Sequence, residues 1–179
     1  MNWQLILWIG IPTIVVLLLI RFIWRTYNEL TWHLVKVDKI AGNLDAVLKK
    51  KFDMIPALLE VVKGYAKHES SVFTEVTRLR SQWSEAKNIN EKIKTASMLE
   101  SALSKLLVVQ ERYPQLKANR TFQSIMKNIS SVESEILKER KYYNEVVRRY
   151  NVRLKLFPRN IVARMFKFEE RPFYSREEE

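Results

Sequence analysis

The sequence predicts an all-α protein: an N-terminal transmembrane helix continuing into an antiparallel, long-helix (four-helix) bundle, followed by a short C-terminal amphipathic segment. Three observations carry that expectation. Residues 5–20 bear no charge, and Phe22-Ile23-Trp24 extend the apolar run past Arg21. Beyond them apolar residues recur at three- and four-residue steps over four long stretches, the spacing of one helix face. Only 3 Gly and 5 Pro occur in 179 residues, too few for the tight turns of an all-β fold.

From Trp3 to Trp24 a helix rises about 33 Å, enough to cross the hydrocarbon core of a bilayer. Trp3 and Trp8 stand at one end, Trp24 and Tyr27 at the other, where amphipathic rings favour the interface. Arg21 lies near the end of the span, so its stem can snorkel, and Arg25 follows at the same boundary. Pro12 is tolerable in a membrane helix. A cleaved signal peptide is the rival reading, but it wants small residues after the apolar run, and RFIWRTY stands there. Arg21, Arg25, Lys36 and Lys39 all follow the span, so the positive-inside rule places the N-terminus outside and the bulk in the cytoplasm. The expected division is an anchor over 1–24, a helical bundle over 25–157, and an amphipathic basic segment with an acidic tail over 158–179.

The first stripe runs Tyr27, Leu30, Leu34, Val37, Ala41, Leu44, Leu48, with no helix breaker separating it from the span. Lys49-Lys50-Lys51 then reads as a solvated helix end, where cations suit the macrodipole. Asp53 reads as an N-cap with Pro56 in the first turn. A second stripe follows: Ile55, Leu58 or Leu59, Val62, Tyr65, Val72, Val76, Leu79 and Trp83, interrupted by Glu69. Ser84 to Asn90 marks a turn; Ile93, Ala96, Leu99, Leu103 and Leu106/Leu107 form the third stripe, ended by Pro114. The fourth starts near Asn119 and runs Ile125, Ile129, Val132, Ile136, Tyr143, Val146/Val147, Tyr150 and Leu154, stopping before Pro158. Four such stripes with short joints describe an antiparallel bundle. Trp83, Tyr142 and Phe73 are left as lateral contacts for self-association. In FPRNIVARMFKF, apolar Phe157, Ile161, Val162, Met165, Phe166 and Phe168 alternate with Arg159, Arg164 and Lys167. That pattern fits either an interfacial helix or a flap on the bundle.

The chemistry inventory argues against catalysis. There is no Cys, and the two His, His33 and His68, lie in neither an H-E-x-x-H nor a Glu-x-x-His context. No glycine-rich phosphate loop and no activated serine context occurs, so no catalytic, cofactor-binding or metal residue is expected, and no cofactor. A formal charge of +11 calls for an anionic partner. Between Lys138 and Lys167 ten cations face only Glu139 and Glu145. Nucleic acid is a poor reading, because Tyr143 and Tyr150 fall on the apolar stripe and belong to the core rather than to base stacking. A fourth segment of residues 118–157 would descend about 60 Å, farther than the first segment climbs, so its basic end reaches the headgroups. Arg148, Arg149, Arg153, Lys155, Arg159, Arg164 and Lys167 are the expected lipid-facing cations.

DAVLKKKFDMIPALLEVVKGYAKHE over residues 45–69 closely resembles the central signature of the bacterial LemA family. So do Tyr27-Asn28 after the anchor, Glu111, Tyr113-Pro114, Glu133 with Arg140, Tyr143-Asn144, Tyr150-Asn151, Phe157-Pro158 and Phe166-x-Phe168, in order along nearly the whole chain. Ala57 stands where the family usually has Asn, and Lys167 where Gly is common. The resemblance implies a bacterial inner-membrane protein with a cytoplasmic bundle and no established catalytic residues. Some relatives act in building membrane organelles; others are encoded beside membrane proteases. Tyr27, Asn28, Pro56, Glu69, Glu111, Tyr113, Pro114, Glu133, Arg140, Tyr143, Asn144, Tyr150 and Asn151 are carried over as structural residues of the motif.

Glu69 and Glu133 stand at or beside apolar seams and need donors; Lys36, Lys105 or Asn and Tyr side chains are the expected suppliers, in a network that fixes register. Tyr113-Pro114 and Phe157-Pro158 read as aromatic helix stoppers packed across the bundle ends. The function expected is a non-enzymatic inner-membrane scaffold that self-associates as a homo-oligomer and contacts anionic membrane lipid with its basic C-terminal face. The alternative is a membrane-tethered adaptor for a membrane protease or signalling partner. Nucleic acid is not an expected partner.

Overall fold

The computed structural model describes residues 3–174, with side chains from Trp8 onward. The side chain of Trp3 and the acidic tail lie outside the described residues. Among the described residues every regular element is helical: α1 (Trp3–Phe52), α2 (Ile55–Lys63), α3 (Ser70–Glu85), α4 (Ile89–Arg112), α5 (Pro114–Lys117), α6 (Arg120–Lys155) and α7 (Arg159–Met165). The apolar run and the first stripe thus form one uninterrupted helix of 50 residues. The chain divides into two compact units, residues 1–39 with 145–171 and residues 40–144 with 172–179.

In the second unit the stripes are buried as their spacing demands. Leu44 and Leu48 of α1, Ile55, Leu58 and Val62 of α2, Val76 and Leu79 of α3, Ala96, Leu99 and Leu103 of α4, and Ile129, Val132, Ile136 and Tyr143 of α6 form its core. Trp83 and Phe73, expected as lateral contacts, belong to that core at 5% exposure each. Trp83 meets Phe52 edge-on at 4.9 Å, an aromatic pair contributing about 1 kcal/mol beyond its buried area. Of the expected lateral set only Tyr142 stays exposed.

Local chemistry sets the helix ends. Asn88 caps α4, its Oδ1 accepting from the Glu91 amide at 2.8 Å, and Asn119 caps α6 through the Phe122 amide at 2.9 Å. Pro56 and Pro114 sit in first turns, where a missing N–H costs nothing. Asp53 does not cap α2: Met54 occupies that position, and Asp53 pairs instead with Lys49 at 2.8 Å, one turn earlier.

The second stripe is two helices, not one. Gly64 to Glu69 breaks it, with the Tyr65 and Ala66 amides both donating to the Val62 carbonyl and Ala66 fully buried in the bend. Glu69 is therefore the residue preceding α3 rather than an intruder in a continuous seam.

In the first unit, Leu30 and Val37 of α1, Val147, Tyr150 and Leu154 of α6, and Val162 and Ala163 of α7 are buried. α7 ends in a Schellman motif: the Lys167 amide donates to the Arg164 carbonyl at 3.2 Å and the Phe168 amide to the Ala163 carbonyl at 2.9 Å. Lys167 itself takes φ 55, the left-handed conformation that favours glycine, which is the physical reason a Gly suits this position.

Candidate functional site

Two constellations of charged and aromatic side chains stand out, one in each unit. In the first unit the apolar surface of α1 is bare: Trp8, Ile14, Leu17, Leu18 and Ile20 are each more than half exposed. Among the described residues α1 is the one helix long and apolar enough to cross a membrane, by length and composition. Trp24 is 68% exposed, and Arg21 and Arg25 are exposed beside it.

Just past that boundary α7 is docked onto α1. Tyr27 contacts the rings of both Phe166, at 4.8 Å, and Phe168, at 5.7 Å. Glu29 receives Arg153 at 3.4 Å and Arg159 at 3.2 Å. α7 buries Val162 and Ala163 and leaves Ile161 and Met165 exposed, with Phe157 bare just before it. Phe157 is thus not packed as a stopper: at 78% exposure it faces outward.

The expected lipid-facing cations sort into two groups. Arg148 and Arg149 both clamp Glu145, at 2.9 and 2.6 Å, which holds that carboxyl at about 2, well below its ordinary range. Arg153 and Arg159 are taken by Glu29, and Lys155 by Glu170 at 3.0 Å. Arg164 and Lys167 are exposed and have no carboxylate partner among the described residues.

In the second unit a chain of four charges crosses the helices. Lys51 Nζ meets Glu133 at 2.6 Å and Glu100 at 3.6 Å; Glu100 in turn accepts from Arg140 Nη2 at 2.8 Å. The charges balance, and three of the four are nearly dry: the side chains of Lys51, Glu100 and Arg140 are 6%, 11% and 12% exposed. The Arg140 guanidinium lies 4.4 Å from the centroid of the Tyr174 ring, a cation–π contact. Burial pushes the Tyr174 phenol well above its ordinary value.

The donor to Glu133 is therefore Lys51, not Lys36 or Lys105, and Lys51 is buried rather than a solvated helix end. A long stem lets its ammonium cross to α6 while the methylenes cover apolar surface. Glu69 finds Arg112 at 3.7 Å. Glu100 carried no sequence signal, since it sits within an ordinary amphipathic helix. Among the described residues no three or more His, Asp or Glu are grouped so as to hold a metal ion.

A family model, the LemA family, matches residues 41–179. The chain belongs to the LemA family. It is also 25% identical over 140 residues to Protein LemA of Metamycoplasma hominis, an overlap covering 76% of this chain and 63% of that relative. The chain thus spans under two thirds of the relative's length. LemA membership and the apolar α1 are together consistent with a membrane-anchored protein.

Several residues singled out by the resemblance hold main-chain or charged partners. Asn151 brackets one residue of the extended segment after α7: its Nδ2 donates to the Arg171 carbonyl at 2.8 Å and its Oδ1 accepts from the Arg171 amide at 2.9 Å. Asn144 does the same to Tyr174, at 2.9 and 2.8 Å. The preceding tyrosines add one bond each, Tyr150 to the Glu169 carbonyl at 3.1 Å and Tyr143 to the Pro172 carbonyl at 2.9 Å. Both tyrosines are fully buried, as their place on the stripe requires. Glu111 pairs with Lys117 at 3.4 Å, and Tyr113 joins α4 to α5; Asn28 is exposed.

Proposed function

We propose that this LemA-family chain is a non-enzymatic scaffold of the bacterial inner membrane, single-pass with its N-terminus outside, whose cytoplasmic helices form an antiparallel four-helix bundle. On this reading the anchor is 1–24, the bundle 25–157, and within the amphipathic segment after it α7 lies against the inner leaflet. The observation that carries it is the seating of Phe166 and Phe168 on Tyr27, three residues past Trp24. That rise of about 4.5 Å keeps α7, with exposed Ile161, Met165 and Arg164, at headgroup depth when the apolar run spans the bilayer.

The bundle is supported by the sense of the ion pairs within the second unit. Lys50–Glu135 and Lys51–Glu133 run in opposite directions along α1 and α6, whereas Asp45–Lys92 and Lys51–Glu100 run in the same direction along α1 and α4. Self-association is supported by large exposed side chains beyond the span, Trp32 and Val35 on α1 and Tyr142 on α6.

Because the sequence has no Cys, Met165→Cys creates a unique labelling site. An environment-sensitive probe there should report an interfacial setting in vesicles containing anionic lipid, and a fully aqueous signal would refute lipid contact. Light scattering in mild detergent should give a defined homo-oligomer; a monomer recovered with one stoichiometric protein would favour the adaptor reading. A C-terminal reporter active outside the cell would overturn the topology.

A further inference from the structure

Between the end of α6 and the end of α7 the first unit exposes large apolar side chains in close succession: Leu156, Phe157, Ile161, Met165 and Phe166, from 45% to 78% exposed. We propose that this face enters loosely packed lipid, recognising gaps between headgroups through its bulk rather than anionic headgroups through charge. The proposal rests on the lipid-contact reading above and names the property of the bilayer that is read.

Ile161 and Met165 stand one turn apart on the same side of α7, and Phe157 leads into it. Val162 and Ala163, on the opposite side, are buried against the protein, so the outward side is the one left without cover. Single exposed apolar residues are ordinary, whereas a run of large ones marks an interaction surface. Its position names the occupant. Phe166 rests on Tyr27 at 4.8 Å, and Tyr27 follows Trp24 by less than one turn at the end of the apolar run. When that run spans the bilayer, the exposed side of α7 meets the boundary between headgroups and acyl chains.

The charge around this face is too nearly balanced for a polybasic lipid site. Over residues 153–170, Arg153, Lys155, Arg159, Arg164 and Lys167 meet Glu169, Glu170 and, from α1, Glu29. Arg153 and Arg159 share Glu29, and Lys155 takes Glu170. That leaves Arg164 and Lys167 as the cations here with no carboxylate partner among the described residues. Clusters that select anionic lipid by charge bring about 4–8 cations. With so few free ones, the drive to enter the interface comes mainly from apolar area leaving water. Side chains as bulky as Phe157 and Phe166 find room only where headgroups stand apart, as branched or unsaturated acyl chains hold them.

The test uses the full chain with a fluorescent probe on Met165→Cys, in nanodiscs holding a single chain, and reads quenching by neutral acrylamide. Quenching should be lower in diphytanoyl- than in palmitoyloleoyl-phosphatidylcholine by about twofold or more, since the headgroup is the same and the chain packing differs. Adding phosphatidylglycerol to the palmitoyloleoyl discs, or salt to either, should change it by less than that. Phe157→Ser with Ile161→Ser should erase the difference at unchanged helical circular dichroism, whereas Arg164→Gln with Lys167→Gln should keep it. Equal, partial quenching in the two neutral discs overturns the proposal. So does protection that follows phosphatidylglycerol and is lost in high salt; both results leave lipid contact standing. Full aqueous quenching in every disc sinks lipid contact itself. Protection found only in discs holding two chains assigns the face to a second copy and also overturns the proposal.

Discussion

Replacing Glu100 by Gln removes one charge from the chain Glu133–Lys51–Glu100–Arg140 while keeping the side chain's size. Glu100 is the shared member, accepting from Arg140 at 2.8 and 3.1 Å and standing 3.6 Å from Lys51. Without it, Arg140 keeps a neutral acceptor and a tyrosine face, and the chain carries one uncompensated positive charge where its side chains are at most 12% exposed outside Glu133. Breaking a buried pair by removing one partner costs about 3–5 kcal/mol. Lys51 retains Glu133 at 2.6 Å, and Gln still offers one oxygen, which brings the expected loss to about 2–3 kcal/mol. For a chain of this size that is a fall in Tm of roughly 4–12 °C. Glu133→Gln is the comparison: its own side chain is 46% exposed and water takes over part of the lost interaction, but Lys51 at 6% exposure keeps only Glu100 at 3.6 Å, so the expected cost is about 1–2 kcal/mol, below that of Glu100→Gln. Thermal melting of the full chain in mild detergent, followed by circular dichroism, reads both. Equal melting of the two variants would refute the claim that burial, rather than ion pairing as such, sets the cost.

Lys167→Gly relieves a left-handed residue worth about 1–2 kcal/mol, partly offset by glycine's freedom in the unfolded chain, and should raise stability by about 0.5–1 kcal/mol. A lowered Tm would contradict the strain. His33 has its pKa lowered from 6.5 by burial and then by Arg153, with Glu29 opposing. The unfolded chain therefore binds the proton first, so stability rises with pH across the window below 6.5 and is lost on acidification through it. His33→Gln should flatten that slope, and an unchanged slope would assign it to other groups. Glu145 should titrate at about 2 by carboxyl NMR, and Arg148→Gln with Arg149→Gln should return it toward 4.5. An inflection near 4.5 in the wild type would mean the two arginines are not held on it.

Periodicity made the fold class and most of the core readable, because burying one face of a helix forces apolar residues to its spacing. It could not reveal the break after α2, since Val62 and Val72 satisfy a helical stripe whether or not the chain bends between them. Asn88 and Asn119 were legible as turn or start positions, whereas Asp53 was misleading: its residue type suits a cap, but Lys49 one turn back offers a charged partner. By type and place Lys51 suits a solvated helix end, and only the third dimension brings Glu133 and Glu100 to it. The resemblance picked out Asn144 and Asn151, but their partners are main-chain atoms of an extended segment, which carry no residue signature.

The two asparagine amides each grip one residue by its own N–H and C=O, and so are themselves blind to what side chain it bears. At position 171 the grip itself accepts any residue type but one, proline, which has no hydrogen to offer and would cancel half of it, although the Arg171 guanidinium also reaches Asp38 at 3.2 Å. The same holds for the amide at position 174, where the buried ring adds a demand of its own. Drift in the tail should thus be wide in side chain and narrow in backbone, and a single imino acid at either position is the smallest change that would loosen it.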